Sequence, residues 1–324
     1  MVARRIGLYA ITAIVAITVN FFIPRLMPGN PALAVIGKAQ AQVSRQTLQA
    51  LEMQYGVQTP TGMWGQYTHY WYMLLHGNLG TSLNNYPASV GSLIRAALPW
   101  TLGLVGTATV ISFVFGTLLG IVAGWRRGSW TDNLLPALTF FQAAPYFFVA
   151  ILAVALFGNK LDWFPLSQGY DTTTLNPGWN GAFIASVLDH AVLPAVTIVL
   201  ASAAGWTIGM RNMMITTMDE DYVLLAQAKG LPKWRVIGYA ARNALLPSVS
   251  GFSLAVGFVV SGALLTEIVF SYPGVGYLLL TAVQSDDYPV LQGVFLIITF
   301  AVLLANLIAD FVYAFLDPRT RQEA

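Results

Sequence analysis

The chain of 324 residues contains no cysteine and little charge, with Asp, Glu, Lys and Arg making up only 9% of it. Without cysteine there is neither a disulfide frame nor a thiolate nucleophile or metal ligand. A soluble domain carries roughly 25% charged residues. A chain this poor in charge, with 56% hydrophobic residues and a mean hydropathy of +0.64, is an integral membrane protein. Its net charge of +2 is too small to imply a nucleic-acid partner. There is no Gly-rich phosphate loop ending in Lys-Ser or Lys-Thr, no His-Glu-x-x-His metal helix and no Gly-x-Ser-x-Gly turn. Their absence excludes an ATPase site, a zinc hydrolase and a serine hydrolase. The three histidines, His69, His76 and His190, fall in expected external loops without ligand spacing, so no metal site is expected. No inverted pair of interrupted spans marks a secondary transporter.

What is present is apolar sequence in long runs. A helix needs about 20 residues to cross the hydrocarbon core. Six runs qualify: Ile6 to Leu26, Trp100 to Trp125, Leu134 to Phe157, Ala191 to Met210, Ser248 to Phe270 and Pro289 to Tyr313. Each is expected to be helical, because lipid offers the backbone no hydrogen-bond partners. The first run follows Arg4 and Arg5 as a signal peptide would. It is too long for one, and Pro24, Arg25 and a Pro28-Gly29-Asn30-Pro31 turn follow in place of a cleavage site. Pro136, Pro145 and Pro194 are expected to start or kink spans.

Arg4 and Arg5, Arg126 and Arg127, a cluster from Arg211 to Arg242, and Arg319 with Arg321 all fall on one side of these spans. The positive-inside rule makes that side cytoplasmic and places both termini there. The other side holds segment 27–99, a middle loop 158–190 and the short loop 271–288. The chain therefore divides into a first span (1–26), an external cap loop with short helices (27–99), and a core of five spans (100–324) containing the cytoplasmic segment 211–247. In the cap, Leu48, Glu52 and Tyr55 have helical spacing. The aromatics Trp64, Tyr67, Tyr70, Trp71 and Tyr72 suit interfacial anchoring or, as a set, a contact surface for cargo.

The cytoplasmic segment reads helix, break, helix. Asp219, Glu220 and Asp221 suit a helix N-terminus, Gly230 a left-handed stop, and Pro232 the first turn of a second short helix to about Ala240. That helix presents Trp234, Val236 and Ile237 among Lys233 and Arg235, a mixture suited to a groove on a soluble partner. The same charges also suit a segment lying on anionic lipid. In the fifth span Ser250, Ser253, Gly257 and Ser261 recur on one helical face, as a pore-facing stripe would. Gly103, Gly106, Thr107, Thr109, Ser112 and Gly116 in the second span fit ordinary close helix packing better. Glu267 is placed near the outer end of the fifth span, within reach of water. It either fixes the following Pro-Gly turn or helps hold an external gate.

Three sets of residues carry a family resemblance. The first is Asp221, Tyr222, Ala226, Ala228, Lys229, Gly230 and Leu231, followed by Arg242, Asn243 and Pro247. The second is Pro28 to Pro31, Gln66-Tyr67, and Gly77-Asn78-Leu79-Gly80 with Ser82. The third comprises Glu267, Phe270, Tyr272-Pro273-Gly274, Gly276, Asp287-Tyr288-Pro289, Asn306, Asp310, Tyr313 and Leu316-Asp317-Pro318-Arg319. Together they resemble the permeases of binding-protein-dependent ABC importers, in the subfamily that imports dipeptides, oligopeptides and nickel complexes. The chain departs from that pattern at Asn30 and Asn78, where Asp is usual, at Tyr239, where His is frequent, and at Leu224, where the broader loop has Glu.

The resemblance implies an all-α integral membrane fold with six transmembrane helices, the type I importer permease fold, with a coupling helix and an extended first external loop. It also implies a bacterial or archaeal cell membrane and alternating access driven by other subunits. The implied partners are a second homologous permease, two ATP-binding subunits that hold the ATP and magnesium this chain does not bind, an extracellular solute-binding lipoprotein, and membrane lipid. Docking falls to the loop residues named above together with Pro232, Trp234 and Arg235, the path to the fifth-span stripe, and the external gate to Glu267, Tyr272, Pro273 and Gly274. Peptides are the default cargo, with plant-derived oligosaccharides or nickel complexes as alternatives. A self-sufficient secondary transporter or channel requires ionisable residues near a span centre, and an intramembrane enzyme requires a nucleophile and base at that depth. The sequence supplies neither.

Overall fold

A computed structural model describes residues 2–26, 62–261 and 263–316. Every regular element among them is helical: α1 (Val2–Leu26), α2 (Gly62–Leu75), α3 (Val90–Trp125), α4 (Leu135–Ala143), α5 (Tyr146–Lys160), α6 (Gly181–Met218), α7 (Asp221–Ala228), α8 (Lys233–Phe258), α9 (Leu264–Val269), α10 (Val275–Gln284) and α11 (Tyr288–Leu316). The turn 28–31, the spacing 48–55 and the basic residues Arg319 and Arg321 lie outside the described residues.

Among the described residues three helices are long and apolar enough to cross a membrane, α3, α6 and the stretch Tyr288–Ile308 of α11. A fourth crossing is available if α4 and α5, bent by 101° at their junction, count as one span. Among the described residues, three or four of the six expected spans thus qualify on length and composition. The described apolar part of α1 is the short stretch Gly7–Ile23. The expected fifth span does not form one helix: α8 ends at Phe258, a 3-10 turn follows over Val259–Ser261, and α9 starts at Leu264. The third span breaks because Pro145 cannot continue α4 and Ala144 turns to an extended conformation (φ −73°, ψ 126°). Pro136 lies in the first turn of α4, whereas Pro194 sits inside α6 without ending it.

Helices α3 and α6 start earlier than expected. The first ten residues of α3 fall in the expected cap loop, and His190, expected in a loop, lies within α6 with Nδ1 2.8 Å from the Ser186 carbonyl. His69 lies within α2.

The chain forms two compact units, one of Met1–Trp100 with Pro273–Leu303 and one of Thr101–Tyr272 with Leu304–Ala324. In the first, Val90, Ile94 and Ala97 bury against Val275, Ala282, Val290, Leu291 and Val294. Asn20 of α1 donates to the Gln292 carbonyl at 2.8 Å, and Thr18 meets the Tyr67 hydroxyl at 2.8 Å, so part of the aromatic set on α2 turns inward to α1. Asp287 is buried, accepting from the Ser82 hydroxyl and the Asn84 amide. That carboxylate fixes loop 81–89 to the start of α11.

In the second unit α3 and α6 pack through glycine. A Cβ on Gly116, Gly120 or Gly124 would lie 2.6 Å from the Ala203 carbonyl, 2.6 Å from Met210 Cβ and 2.5 Å from Met214 Cβ respectively. Spaced four apart, these residues form one stripe that lets the two backbones meet. Ser112 and Thr207 are buried near the same seam, whereas Phe115 and Leu118 face outward. Small residues inside and large apolar ones outside is the arrangement of a helix pair solvated by lipid.

Candidate functional site

The segment 211–247 is built on the end of α6. Met210 and Met214 form a buried base with Val223 and Ala226 of α7 and Val236, Ala240, Ala241 and Ala244 of α8. Between the two helices Gly230 adopts φ +71°, its N–H bonding the Gln227 carbonyl at 2.9 Å while the Leu231 N–H reaches the Ala226 carbonyl at 3.3 Å. This is a complete Schellman stop, which glycine reaches without Cβ strain. Helix α8 does not end near Ala240. It runs 26 residues in all, from Lys233 to Phe258, with Pro247 inside it, so the expected short second helix is the first part of a long one.

The inner and outer faces of this segment are distinct. Val236 is buried and Ile237 packs against the same base, so neither is presented outward as expected. Trp234 is 68% exposed, and the Arg235 guanidinium lies 5.1 Å from its ring centroid. Asp221, Tyr222, Ala228, Lys229, Pro232, Arg242, Asn243 and Pro247 are also exposed, whereas Ala226 is buried and Leu231 half-buried. Leu224 and Tyr239, which depart from the family pattern, lie on the exposed side. Nearby, Arg127 at the end of α3 donates to the Ile215 carbonyl at 2.6 Å and pairs with Asp219 at 3.4 Å. A cation there suits the negative end of α6.

Glu267 is fully buried, not near water as expected, and accepts the Thr101 hydroxyl at 2.8 Å. Tyr272, Pro273 and Gly274 follow a second Schellman turn in which Ser271 holds φ +46°, with the Tyr272 N–H on the Glu267 carbonyl at 2.8 Å. Burial, aided by the nearby Glu267 carboxylate, pushes the Tyr272 hydroxyl up to about 12.

The stripe on α8 is satisfied locally. Ser250 and Ser253 donate to the Leu246 and Val249 carbonyls, and Gly257 is pressed against Ala305. The side chain of Ser261 lies outside the described residues. A cavity of about 560 Å³ opens among α3, the α4–α5 break, α6 and the end of α8, lined by Thr109, Gln142, Tyr146, Ser202 and Trp206 with apolar neighbours. None of Ser250, Ser253 or Gly257 lines it. Gln142 three residues before Pro145 in an apolar run was a readable signal for this cavity. Thr101 and Arg127 carried none, since their partners lie far along the chain. No group of His, Cys, Asp or Glu among the described residues has the geometry of a metal site.

Residues 116–322 match the family described as binding-protein-dependent transport system inner membrane component. A putative peptide permease protein of Brucella ovis is 34% identical over 311 residues, covering 95% of each chain. The di/tripeptide transport system permease protein of Pseudomonas aeruginosa is 34% identical over 342 residues, covering 99% of this chain and 98% of its own. The probable D,D-dipeptide transport system permease protein of Escherichia coli is 32% identical over 328 residues, covering 97% and 94%. With its membrane-spanning helices, the chain is a multi-pass protein of the inner membrane and belongs to the binding-protein-dependent ABC importer permeases of the peptide type.

Proposed function

We propose that this chain is one of two permease subunits of an ATP-driven peptide importer. A second permease completes the path, an external solute-binding lipoprotein delivers the peptide, and two ATP-binding subunits carry the ATP and magnesium. The reading includes six spans, α1 and the α8–α9 region supplying those beyond the helices that qualify by length, with both termini on the cytoplasmic side. Peptide as cargo is supported by the names of the relatives.

One observation carries the reading: a two-sided elbow packed on the end of α6. Its inner face is anchored on Met210 and Met214, and Trp234, Arg235, Tyr239 and Tyr222 are exposed on the elbow. An aromatic anchor flanked by arginine is the composition of a protein-docking hot spot more than of a lipid-lying helix. Because α8 is continuous over 26 residues, or about 39 Å at about 1.5 Å per residue, a push at Trp234 displaces its far end at Phe258. Differential contact of the ATP-binding subunits with two positions of α8 then drives alternating access.

The test is copurification. Wild-type chain, its partner permease and the ATP-binding subunits are expected to copurify, and Trp234→Glu to release the ATP-binding subunits while the two permeases stay together. Retention of those subunits by the variant would contradict the docking face.

A further inference from the structure

Two properties of the cavity in the second unit bear on what it can hold. The first is its wall. It lies where three helices lose regular geometry: Val105 belongs to a π-helical turn over Leu102–Gly106, Gln142 and Tyr146 flank the 101° break, and Phe258 and Val259 stand where α8 gives way to the 3-10 turn. Irregular backbone in a membrane-spanning chain is tolerated where it is buried in protein or lines a wet space. The second is its chemistry. The Gln142 amide, the Tyr146 hydroxyl and the Ser202 hydroxyl make no hydrogen bond to any described residue. Elsewhere in the helices the Asn20 amide donates to the Gln292 carbonyl and the Ser253 hydroxyl to the Val249 carbonyl, whereas the Thr117 and Thr266 hydroxyls are buried without a hydrogen bond to any described residue. Gly205 keeps space open beside Gln142, since a Cβ there would sit 3.8 Å from Nε2.

We propose that this cavity is a transit site that holds the main-chain amides of the passing peptide through Gln142, Tyr146 and Ser202. The inference rests on the peptide-importer reading above. A glutamine amide both donates and accepts, as a peptide group does, and the two hydroxyls can do either. No charged side chain among the described residues lines the cavity, so the site grips what all peptides share and ignores the charge of their side chains. Its volume falls in the range of about 300–1,000 Å³ typical of small-ligand sites. The indole of Trp206 is already met edge-on by Phe113, with centroids 5.1 Å apart, which makes it a wall more than a stacking platform. Ala255 and Phe258 bring the end of α8 to the same cavity, so movement of that helix reshapes it.

The experiment uses the complete transporter in vesicles, with uptake of labelled Ala-Ala, Lys-Ala and Glu-Ala measured beside peptide affinity of the binding protein and ATP hydrolysis. Gln142→Ala and Tyr146→Phe are each expected to lower Ala-Ala uptake about tenfold, the scale of one lost hydrogen bond, with peptide affinity of the binding protein unchanged. Gln142→Glu is expected to raise the Lys-Ala to Glu-Ala uptake ratio about tenfold over wild type. Because the chain has no cysteine, Ser202→Cys supplies a single thiol in this subunit, and millimolar Ala-Ala is expected to slow its maleimide labelling. Wild-type uptake by both uncharged variants, an unchanged ratio in Gln142→Glu and unprotected Ser202→Cys would overturn the transit site while leaving peptide import standing. A wild-type complex that couples ATP hydrolysis to an oligosaccharide and imports no peptide would instead overturn the functional reading, and the transit site with it.

Discussion

Thr101 hands its hydroxyl hydrogen to a carboxylate oxygen of Glu267 across 2.8 Å, in a site from which both side chains exclude solvent. The two are 166 residues apart, so this bond ties the π-turn region of α3 to α9. A buried carboxyl deprived of a partner is costly. Thr101→Val is therefore expected to destabilise the purified protein by about 1–3 kcal/mol, and Thr101→Ser to restore most of the loss, as read from thermal unfolding in detergent. Equal stability of the Val and Ser variants would remove this bond from the account.

The glycine stripe on α3 makes a second, independent prediction. Gly120→Ala places a methyl group 2.6 Å from Met210 Cβ and 2.7 Å from the Thr207 carbonyl, so the two helices must separate. A loss of about 1–3 kcal/mol is expected, with Gly120→Leu failing to accumulate in the membrane. Gly209→Ala is the control, because nothing lies within 4 Å of a Cβ there. Comparable yields for Gly120→Leu and Gly209→Ala would contradict the seam.

At the elbow, a Cβ on Gly230 meets no neighbour, so Gly230→Val is opposed by the positive φ of that residue. The substitution is expected to cost about 1–2 kcal/mol locally, leave membrane insertion intact and uncouple ATP hydrolysis from uptake. Normal coupled uptake by this variant would argue against the two-sided elbow.

Tyr272 gives a prediction in pH. Its folded pKa lies near 12, above the ordinary value of 10.0, so the folded state holds the proton more tightly than the unfolded one. The associated stability is fully present below pH 10 and is lost as pH rises towards 12. Tyr272→Phe is expected to flatten that alkaline loss in chemical unfolding measured from pH 9 to pH 12. An unchanged slope would place the titration elsewhere.

Local punctuation was legible in advance. Gly230 followed by Pro232 marks its break whatever the rest of the chain does, and the apolar runs in α3, α6 and α11 announce themselves by composition. Less legible was anything decided by a distant partner. Arg242 and Asn243 read as loop residues, yet they lie on the exposed side of α8 while Ala240 and Ala244 bury against Met210 and Met214. The start of α3 was hidden because Ser92 and Arg95 interrupt its apolar run, although Val90, Ile94 and Ala97 form a buried stripe. Glu267 looked water-exposed because Thr101, which supports its burial, belongs to another helix. The serine stripe on α8 was legible by spacing, but spacing does not register that the Ser250 and Ser253 hydroxyls bond the carbonyls one turn back.

The most direct test of the central claim is peptide uptake by vesicles holding this chain, its partner permease, both ATP-binding subunits and the external binding protein, with and without ATP. Accumulation of peptide is expected to require ATP and every one of the other subunits, and to be lost in Trp234→Glu. Accumulation by this chain alone, or by the complete complex without ATP, would contradict it.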